Sequence, residues 1–426
     1  MPGSDTPGPE RLAIQDWMTA PETRAVIAAL TAQGSEVRFV GGCVRDALAG
    51  RPVQDVDIAT PDRPEAVMAL LGAAGIKAVP TGIDHGTVTA VANHKPFEIT
   101  TLREDVETDG RRAVVAFTDD WLADASRRDL TFNAMSCSPE GQLYDPFGGA
   151  ADLAAGRVRF VGDARARIEE DYLRLLRFFR FQAHYGRVAP EPAVLAVTAS
   201  LAPQLRSLSG ERLRQEFLKL LAAADPLPVL ALMRDHDIIA AFLPEAGGQE
   251  VLHRLLTQGQ PGSDDPVLRL AALLPGEATV AEAVGHRLRL SGAEREALAR
   301  LAAPGDDLTA ANPMLDPQAD PEEARHGLRV ALHRRGAAAT HAQLLMEGAR
   351  RAAAADTLRP ALALVEGWRP RAFPLSGSDV LARGVPAGPR VGDLLRAVED
   401  WWIAADFAPD RAACLDRLRD LVGEEA

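Results

Sequence analysis

Two aspartates that follow a glycine turn are the side chains in this sequence best suited to bind a metal ion. Asp55 and Asp57 stand in a predicted strand over 55–58, and side chains two residues apart on a strand share a face. A short apolar run and the turn residues Gly41 and Gly42 precede them. Paired carboxylates beside such a turn are what Mg²⁺ needs when it links a nucleoside triphosphate to a protein. The spacing therefore predicts a Mg²⁺ site at the two aspartates.

The glycine turn is itself predicted to bind phosphate. Gly42 lets the backbone approach a ligand closely, and a helix predicted to begin at Cys43 directs its free N–H groups toward the turn. Arg45 lies one turn into that helix and can add a charged fork. A surface turn with two solvated aspartates is the alternative. Asp-x-Asp alone is uninformative, because it recurs at 235–237 in a helical region without a glycine turn.

A second motif, Arg127-Arg128-Asp129, also favours phosphate binding. Its two arginines can bind phosphates through bidentate hydrogen bonds. The aspartate can orient one of them or accept a hydrogen bond from a sugar hydroxyl. The triplet by itself is common on protein surfaces, but Thr131 and Asn133 follow it closely.

A third motif lies in a helix predicted across 170–180. On this helix Asp171, Arg174, Arg177 and Arg180 share one half with apolar side chains. Arginines on a partly apolar surface need anionic or planar partners. Residues 157–187 contain eight arginines and four acidic residues, which makes a local basic patch. The alternative is ion pairing within the helix, for instance of Glu170 with Arg174, which stabilises a helix weakly.

The composition and net charge of the whole chain are typical of an ordinary globular protein rather than of a basic nucleic-acid binder. It has 426 residues, 47% hydrophobic and 25% charged, with a net charge of −13, so binding of a nucleic acid would need a local patch. The three cysteines are odd in number and far apart, which predicts neither a disulfide nor a zinc site and favours a reducing cytoplasm. No apolar run of residues is long enough to span a membrane. The sequence therefore predicts no membrane association, and it predicts no protein partner.

The first part of the chain mixes helix and strand patterns, and helical periodicity dominates from Leu153 onward. A strand predicted over 96–102 holds Glu98, a candidate third carboxylate whose alternative is a solvated glutamate at a strand edge. The charged segment 103–120 is predicted to be a mobile loop. Arg111 or Arg112 in it could reach a triphosphate, but neither is included in the predicted site.

Together these motifs resemble those of class II nucleotidyltransferases in the polymerase-beta superfamily, which include bacterial tRNA CCA-adding enzymes and poly(A) polymerases. The matching segments are Gly41–Asp46 with Asp55–Asp57, Arg127–Ala134, Asp145–Gly149, Glu170–Arg174 and Ser209–Glu216. Cys43 and Leu130 depart from the family pattern, which has alanine and phenylalanine there. The resemblance covers 37–216, about half of the chain, and we interpret 209–216 as a structural, N-capped helix start.

The resemblance implies an α/β nucleotidyltransferase head of the polymerase-beta type over 1–154. A helical neck over 155–225 and a helical, RNA-binding body and tail over 226–426 would follow. It implies addition of C, C and A to tRNA 3′ ends from CTP and ATP, with Mg²⁺ and without a nucleic-acid template. A poly(A) polymerase, an enzyme adding only part of CCA, and an inactive RNA-binding or nucleotide-sensing protein are the alternatives. No appended phosphohydrolase activity is predicted.

The resemblance also assigns roles to residues. Asp55 and Asp57 would hold the metal, and Gly42, Arg45 and Arg128 would hold the triphosphate and sugar. The pair Asp171 and Arg174 would select the base: the carboxylate accepts from an exocyclic amino group and the guanidinium donates to the ring. Cytosine and adenine both offer that pattern, whereas guanine and uracil offer the opposite one. Arg177 and Arg180 would face the triphosphate or the base edge.

Overall fold

The chain folds into two compact units. In the computed structural model, residues 11–83, 86–108 and 113–423 are described, and for 105–108 and 113–115 the description covers the backbone alone. The first unit contains the residues up to 246 together with 287–289, and the second contains 247–286 and the residues from 290 onward. Within the described residues all named strands belong to the first unit, which confirms an α/β part followed by a helical part.

The main sheet of the first unit is mixed. The strands are β1 (Arg38–Val40), β2 (Asp57–Thr60), β3 (Lys77–Gly82), β4 (Thr87–Ala92), β5 (Lys95–Thr101), β6 (Arg103–Thr108), β7 (Ala113–Phe117), β8 (Ser136–Cys137) and β9 (Leu143–Tyr144). Seven of them form one sheet in the order β3-β4-β5-β2-β1-β8-β9. β2 and β5 run parallel, and the other neighbours in this sheet run antiparallel.

The centre of this sheet positions the predicted metal site. β2 lies between β1 and β5, and Asp57 lies opposite Glu98 in the parallel register. The strand begins at Asp57, so the prediction of a strand over 55–58 is wrong for its first two residues. Neither neighbouring strand has a paired residue before Asp57, and Asp55 therefore precedes the hydrogen-bonded ladder.

The segment predicted as a mobile loop contains a strand pair. β6 and β7 form a separate two-stranded antiparallel sheet, so the loop prediction is wrong for both strands. The run Ala113–Phe117 is rich in valine and ends in phenylalanine, residues that favour extended backbone when a partner strand is present. Arg111 and Arg112 lie outside the described residues.

Helices of the first unit carry most of the other site residues. They are α1 (Asp16–Thr19), α2 (Pro21–Leu30), α3 (Gly42–Leu48), α4 (Pro64–Ala73), α5 (Trp121–Ser126), α6 (Gly149–Ala155), α7 (Ala164–Glu170), α8 (Leu173–Tyr185), α9 (Pro192–Leu201), α10 (Gly210–Leu221), α11 (Leu227–Asp235) and α12 (Ile238–Phe242), with short 3-10 helices at Thr131–Asn133 and Ala202–Ser207. α8 packs against α10 and buries Leu175, Phe178 and Phe179 completely. Its apolar packing therefore fixes the arginines between these residues in place.

The remaining helices build the second unit. They are α13 (Glu250–Thr257), α14 (Pro266–Leu273), α15 (Ala278–Arg287), α16 (Gly292–Ala302), α17 (Asp306–Thr309), α18 (Pro321–Arg350), α19 (Ala355–Gly367), α20 (Gly377–Leu381), α21 (Pro389–Ala404) and α22 (Arg411–Gly423), with a 3-10 helix at Asn312–Leu315. α18 is kinked at Gly336, whose φ is 81°. Val398, Trp402 and Cys414 belong to a buried apolar cluster near the end of the chain.

The cysteines and the apolar helices have the following properties in this fold. All three cysteines are buried free thiols. Over the described ranges, no helix is both long enough and apolar enough to cross a bilayer.

Candidate active site

The glycine turn after β1 brings the main chain close to an arginine. Gly41 has φ 66° and ψ −119°, a conformation that residues with a Cβ rarely adopt. A Cβ at Gly41 would lie 3.2 Å from Nη1 of Arg128. α3 begins at Gly42, one residue earlier than predicted. The turn therefore needs glycine at position 41 both for its backbone and for the closeness of Arg128.

Burial and two neighbouring carboxylates act on Asp57 at the start of β2. Asp57 is half-buried, whereas Asp55 and Glu98 are exposed. Burial raises the pKa of the Asp57 carboxyl to about 6, and the negative charge of Glu98 adds to the rise. Asp55 acts in the same direction, and Arg128 opposes it. A poorly hydrated carboxylate among like charges is stabilised by a bound cation.

Arg128 is oriented by a buried carboxylate on α5. Asp124 accepts hydrogen bonds from Nη2 of Arg128 at 3.0 Å and from Nη2 of Arg127 at 2.8 Å. Burial alone raises the pKa of Asp124, but these two guanidinium groups hold that pKa below its usual range. The sequence interpretation missed Asp124, although its spacing of three and four residues from the arginines on a helix was a visible signal.

Arg45 is held in a fixed orientation beside the turn. Its Nε and Nη2 each donate to the carboxylate of Asp46 at 3.0 Å, and its Nη1 donates to Oδ1 of Asn133 at 2.7 Å. The guanidinium carbon lies 4.9 Å from the ring centre of Phe181 and 4.8 Å from that of Tyr185. These contacts reduce the side-chain entropy that Arg45 would lose when it binds an anion.

Asp171 lies in a break between two helices. α7 ends at Glu170, Asp171 has an extended backbone with φ −154° and ψ 108°, and α8 begins at Leu173. The prediction of one helix across 170–180 is therefore wrong at its first turn. Oδ1 of Asp171 accepts from the backbone N–H of Leu173 at 3.1 Å, which satisfies a free donor at the start of α8. This local hydrogen bond competes with helix continuation and explains the break.

Arg174 is anchored by main-chain oxygens. Its Nη1 donates to the carbonyl oxygen of Arg167 at 3.1 Å and to the carboxylate of Glu170. Its Nη2 donates to the carbonyl oxygen of Arg127 at 2.9 Å. The pairing of Glu170 with Arg174, offered above as the alternative interpretation, is thus present. It helps to orient Arg174 without removing it from the cavity described below.

Arg177 and Arg180 are paired with carboxylates outside their own helix. Nε of Arg177 donates to Oδ2 of Asp129 at 2.6 Å, and Arg180 lies 3.2 Å from Glu216 of α10. Burial alone raises the pKa of Asp129, but the charge and hydrogen bond of Arg177, with a further hydrogen bond from Asn133, hold it well below its usual range. Asp129 is therefore ionised at neutral pH and ties the segment after α5 to α8.

These side chains meet in one cavity of about 400 Å³. Among the predicted site residues, its lining includes Gly42, Arg45, Asp57, Arg128, Asp171, Arg174, Arg177 and Arg180. Asp55 does not line it, although its charge acts on Asp57. A cavity with many guanidinium groups and a few fixed carboxylates suits a ligand that combines a polyanion with a polar ring edge.

α10 also contributes to this cavity, so its interpretation as purely structural is incomplete. Arg212 lines the cavity, and its Nη2 donates to Oδ2 of Asp171 at 2.7 Å. Glu216, which pairs with Arg180, lies four residues later and therefore on the same helix face. That spacing was visible in the sequence. Ser209 precedes the helix at the capping position, but its side chain makes no capping hydrogen bond.

Two protein-family models match parts of the chain. The model described as the poly A polymerase head domain matches residues 37–159, a range that contains the glycine turn, Asp57 and Arg128. The model described as the probable RNA and SrmB-binding site of polymerase A matches 188–247, which contains α10. α8 lies between the two matched ranges.

Similar proteins match nearly the whole chain. A mitochondrial CCA tRNA nucleotidyltransferase 1 from Danio rerio is 36% identical over 397 residues, covering 90% of this chain and 87% of the relative. The Homo sapiens protein of that name is 33% identical over 394 residues, covering 91% and 87%.

A solved structure of the Bacillus stearothermophilus CCA-adding enzyme, in complex with CTP, superposes with a TM-score of 0.74 at 28% identity, covering 97% of this chain and all of the other. A Thermotoga maritima CCA-adding enzyme complexed with tRNA shares the fold, with a TM-score of 0.62 at 18% identity over 97% and 99% of the two chains.

Proposed function

This chain belongs to the family of CCA tRNA nucleotidyltransferases, and we propose that it adds C, C and A to tRNA 3′ ends through Mg²⁺-dependent nucleotidyl transfer from CTP and ATP. The observation that carries this proposal is the single cavity in which Asp57 stands together with Asp171 and Arg174. A metal-binding carboxylate and a base-reading pair in one cavity allow a nucleotide to be both chosen and joined without a nucleic-acid template.

Asp55 and Asp57 would hold the Mg²⁺. Magnesium is usually bound through one or two carboxylates together with substrate phosphates, and these two aspartates fit that pattern. Within the described parts of the chain, no group of three or more His, Cys, Asp or Glu side chains is arranged to hold a metal. Glu98, opposite Asp57, is proposed as a third active-site carboxylate that acts on Asp57 through its charge rather than as a third metal ligand. When bound, Mg²⁺ lowers the pKa of the primer 3′-hydroxyl and neutralises charge on the departing pyrophosphate.

Gly42, Arg45 and Arg128 would hold the triphosphate and sugar. The guanidinium groups of the two arginines are already oriented by Asp46 and Asp124, so little side-chain freedom is lost when phosphate oxygens bind. With the triphosphate held by these residues, the 3′-oxygen of the tRNA would attack the α-phosphorus. The bond to pyrophosphate breaks as the new phosphodiester bond forms. Arg177 and Arg180 would face the triphosphate or the base edge.

Asp171 and Arg174 would select the base. An ionised carboxylate only accepts hydrogen bonds and a guanidinium only donates them. Asp171 therefore suits the exocyclic amino group of cytosine or adenine, and Arg174 suits the neighbouring ring nitrogen. Uracil and guanine place a carbonyl oxygen, which is a hydrogen-bond acceptor, where the carboxylate needs a hydrogen-bond donor. One pair of side chains can thus accept both C and A.

Extension of a tRNA that lacks its 3′ end tests this function. The assay supplies Mg²⁺ and each nucleoside triphosphate, separately and together. Three added nucleotides that require both CTP and ATP, followed by arrest, are expected. Long tails from ATP alone would indicate a poly(A) polymerase, and addition of only C or only A would indicate a partial enzyme.

The metal-site variants test whether catalysis depends on the two aspartates. Asp55→Ala and Asp57→Ala should each lower kcat by at least about a thousandfold and leave tRNA binding intact. Arg214→Met, which removes an arginine of α10 outside the cavity, is the matched control and should stay active. If the wild type and both aspartate variants show the same activity and the same tRNA binding, the result would favour an inactive RNA-binding or nucleotide-sensing protein.

The remaining assignments are proposals of the same kind. We propose a head over 1–154, a neck over 155–225, and an RNA-binding body and tail over 226–426. We also propose a cytoplasmic compartment, supported by three buried free thiols, although the relatives above are mitochondrial by name. Cell fractionation of the tagged protein checks the compartment, and its recovery with mitochondria would contradict the proposal.

A further inference from the structure

Arg212 of α10 donates a hydrogen bond to the carboxylate of Asp171. Arg212 lies in the first turn of α10 and lines the same cavity as Asp171 and Arg174. Its Nη2 donates to Asp171, whereas its Nη1 is shielded from solvent and has no partner among the described residues. A buried donor on a charged group is costly to leave unpaired. The contact of Arg212 with Asp171 is therefore kept at a cost in stability, which the hydrogen bonding of Arg212 itself does not explain.

We propose that Arg212 is a positioning residue for base selection. Its Nη2 fixes the Asp171 carboxylate that would read the base. The inference rests on the proposed function, because it gives Asp171 a partner in its task of reading the base.

The carboxylate of Asp171 is held at both oxygens. Oδ1 accepts from the backbone N–H of Leu173 at 3.1 Å, and Oδ2 accepts from Nη2 of Arg212 at 2.7 Å. Each carboxylate oxygen has a second lone pair, which stays available to an amino group of the base. Because the carboxylate cannot rotate away, a carbonyl oxygen of uracil or guanine at the same place meets uncompensated negative charge. The fixed orientation of the Asp171 carboxylate therefore allows the site to discriminate between bases.

The donor half of the base-reading pair does not depend on Arg212. Arg174 is held by the carbonyl oxygens of Arg167 and Arg127 and by Glu170. Loss of Arg212 should therefore free Asp171 while Arg174 still donates to the base. That asymmetry predicts a specific defect, in which UTP and GTP are rejected less well than by the wild-type enzyme.

The test compares Arg212→Met and Arg212→Lys with Arg214→Met as control. kcat and KM are measured for CTP, ATP, UTP and GTP on a tRNA lacking its 3′ end, together with KM for that tRNA and thermal stability. In Arg212→Met, KM for CTP and ATP should rise about tenfold, and the ratio of kcat/KM for CTP over UTP should fall about tenfold or more. KM for the tRNA should stay within about twofold. Arg212→Lys should be intermediate, since an ammonium can pair with Asp171 but lacks the planar, preorganised fork of a guanidinium.

The double variant Asp171→Asn with Arg212→Met separates positioning from folding. If Arg212 acts through Asp171, the double variant should discriminate between CTP and UTP no worse than Asp171→Asn alone. The proposal would be overturned if the losses of discrimination in the two single variants add in the double variant. It would also be overturned if Arg212→Met leaves the ratio of kcat/KM for CTP over UTP unchanged. The same holds if Arg212→Met lowers kcat/KM equally for all four nucleotides, in parallel with thermal stability. Failure of the wild-type protein to add CCA would instead refute the proposed function, so the two failures are distinguishable.

Discussion

Replacement of Asp57 by asparagine should stabilise the metal-free protein while it abolishes nucleotidyl transfer. Asp57 is half-buried at the start of β2, and burial together with Glu98 and Asp55 raises its pKa to about 6. At neutral pH the folded protein therefore contains an ionised carboxylate in an unfavourable place. Asparagine has nearly the same shape and no charge, so Asp57→Asn removes this cost together with the proposed metal ligand.

The size of the effect follows from the pKa. An aspartate in the unfolded chain titrates near 3.8, so a value of about 6 in the folded protein is a rise of about two pH units. Each unit corresponds to about 1.4 kcal/mol, which sets an upper limit of about 3 kcal/mol. Because a half-buried carboxylate keeps part of its hydration, we expect Asp57→Asn to raise the free energy of unfolding by about 1–3 kcal/mol at pH 8.

The pH dependence distinguishes this cause from a change in packing. The folded-state pKa of Asp57 lies above the unfolded-state pKa, so the stability linked to its protonation is fully present below about pH 4 and is lost as the pH rises through 6. The difference between variant and wild type should thus be near zero in acid, grow between about pH 4 and 6, and level off above about pH 7.

Hydrogen exchange of the β2 and β5 amides, in urea and EDTA, measures the free energy of unfolding for the unit that holds Asp57. Asp55→Asn is the matched control, because its carboxylate is exposed. It should lose activity as well, but change stability by only about 0.5 kcal/mol. If Asp57→Asn is no more stable than wild type at pH 8, or if the difference does not vary with pH, the electrostatic reasoning is refuted.

Three further perturbations test the same framework. Gly41→Ala should cost about 1–3 kcal/mol of stability in urea unfolding and raise KM for CTP, because φ there is 66°. Asp129→Asn should cost about 1–3 kcal/mol at pH 7, because Arg177 would lose this carboxylate partner but keep Glu216 at 3.8 Å. The wild-type contribution of that pair should persist until the pH falls below the usual aspartate range, because Asp129 has a lowered pKa. Glu98→Gln should lower the pKa of Asp57, seen as a shift of the pH–rate profile to lower pH, and an unshifted profile would contradict this coupling.

The chemistry of the site could be predicted from the sequence because its motifs are local. The residues of the Asp55 and Asp57 pair, of the Arg127-Arg128-Asp129 triplet, and of the segment with Asp171 and Arg174 each stand within a few positions of one another. Residue type and spacing over so short a range already limit which ligands the side chains can bind. The order of strand and helix patterns likewise sufficed for an α/β part followed by a helical part.

Only the tertiary structure decided how these local pieces meet. Glu98 lies opposite Asp57 because β5 pairs with β2 in parallel register, and Arg212 reaches Asp171 across 41 positions of chain. Register and long-range hydrogen bonds depend on which elements pack together, and local periodicity carries no record of that choice. The types of the reacting groups could therefore be predicted from the sequence, whereas their partners and orientations could not.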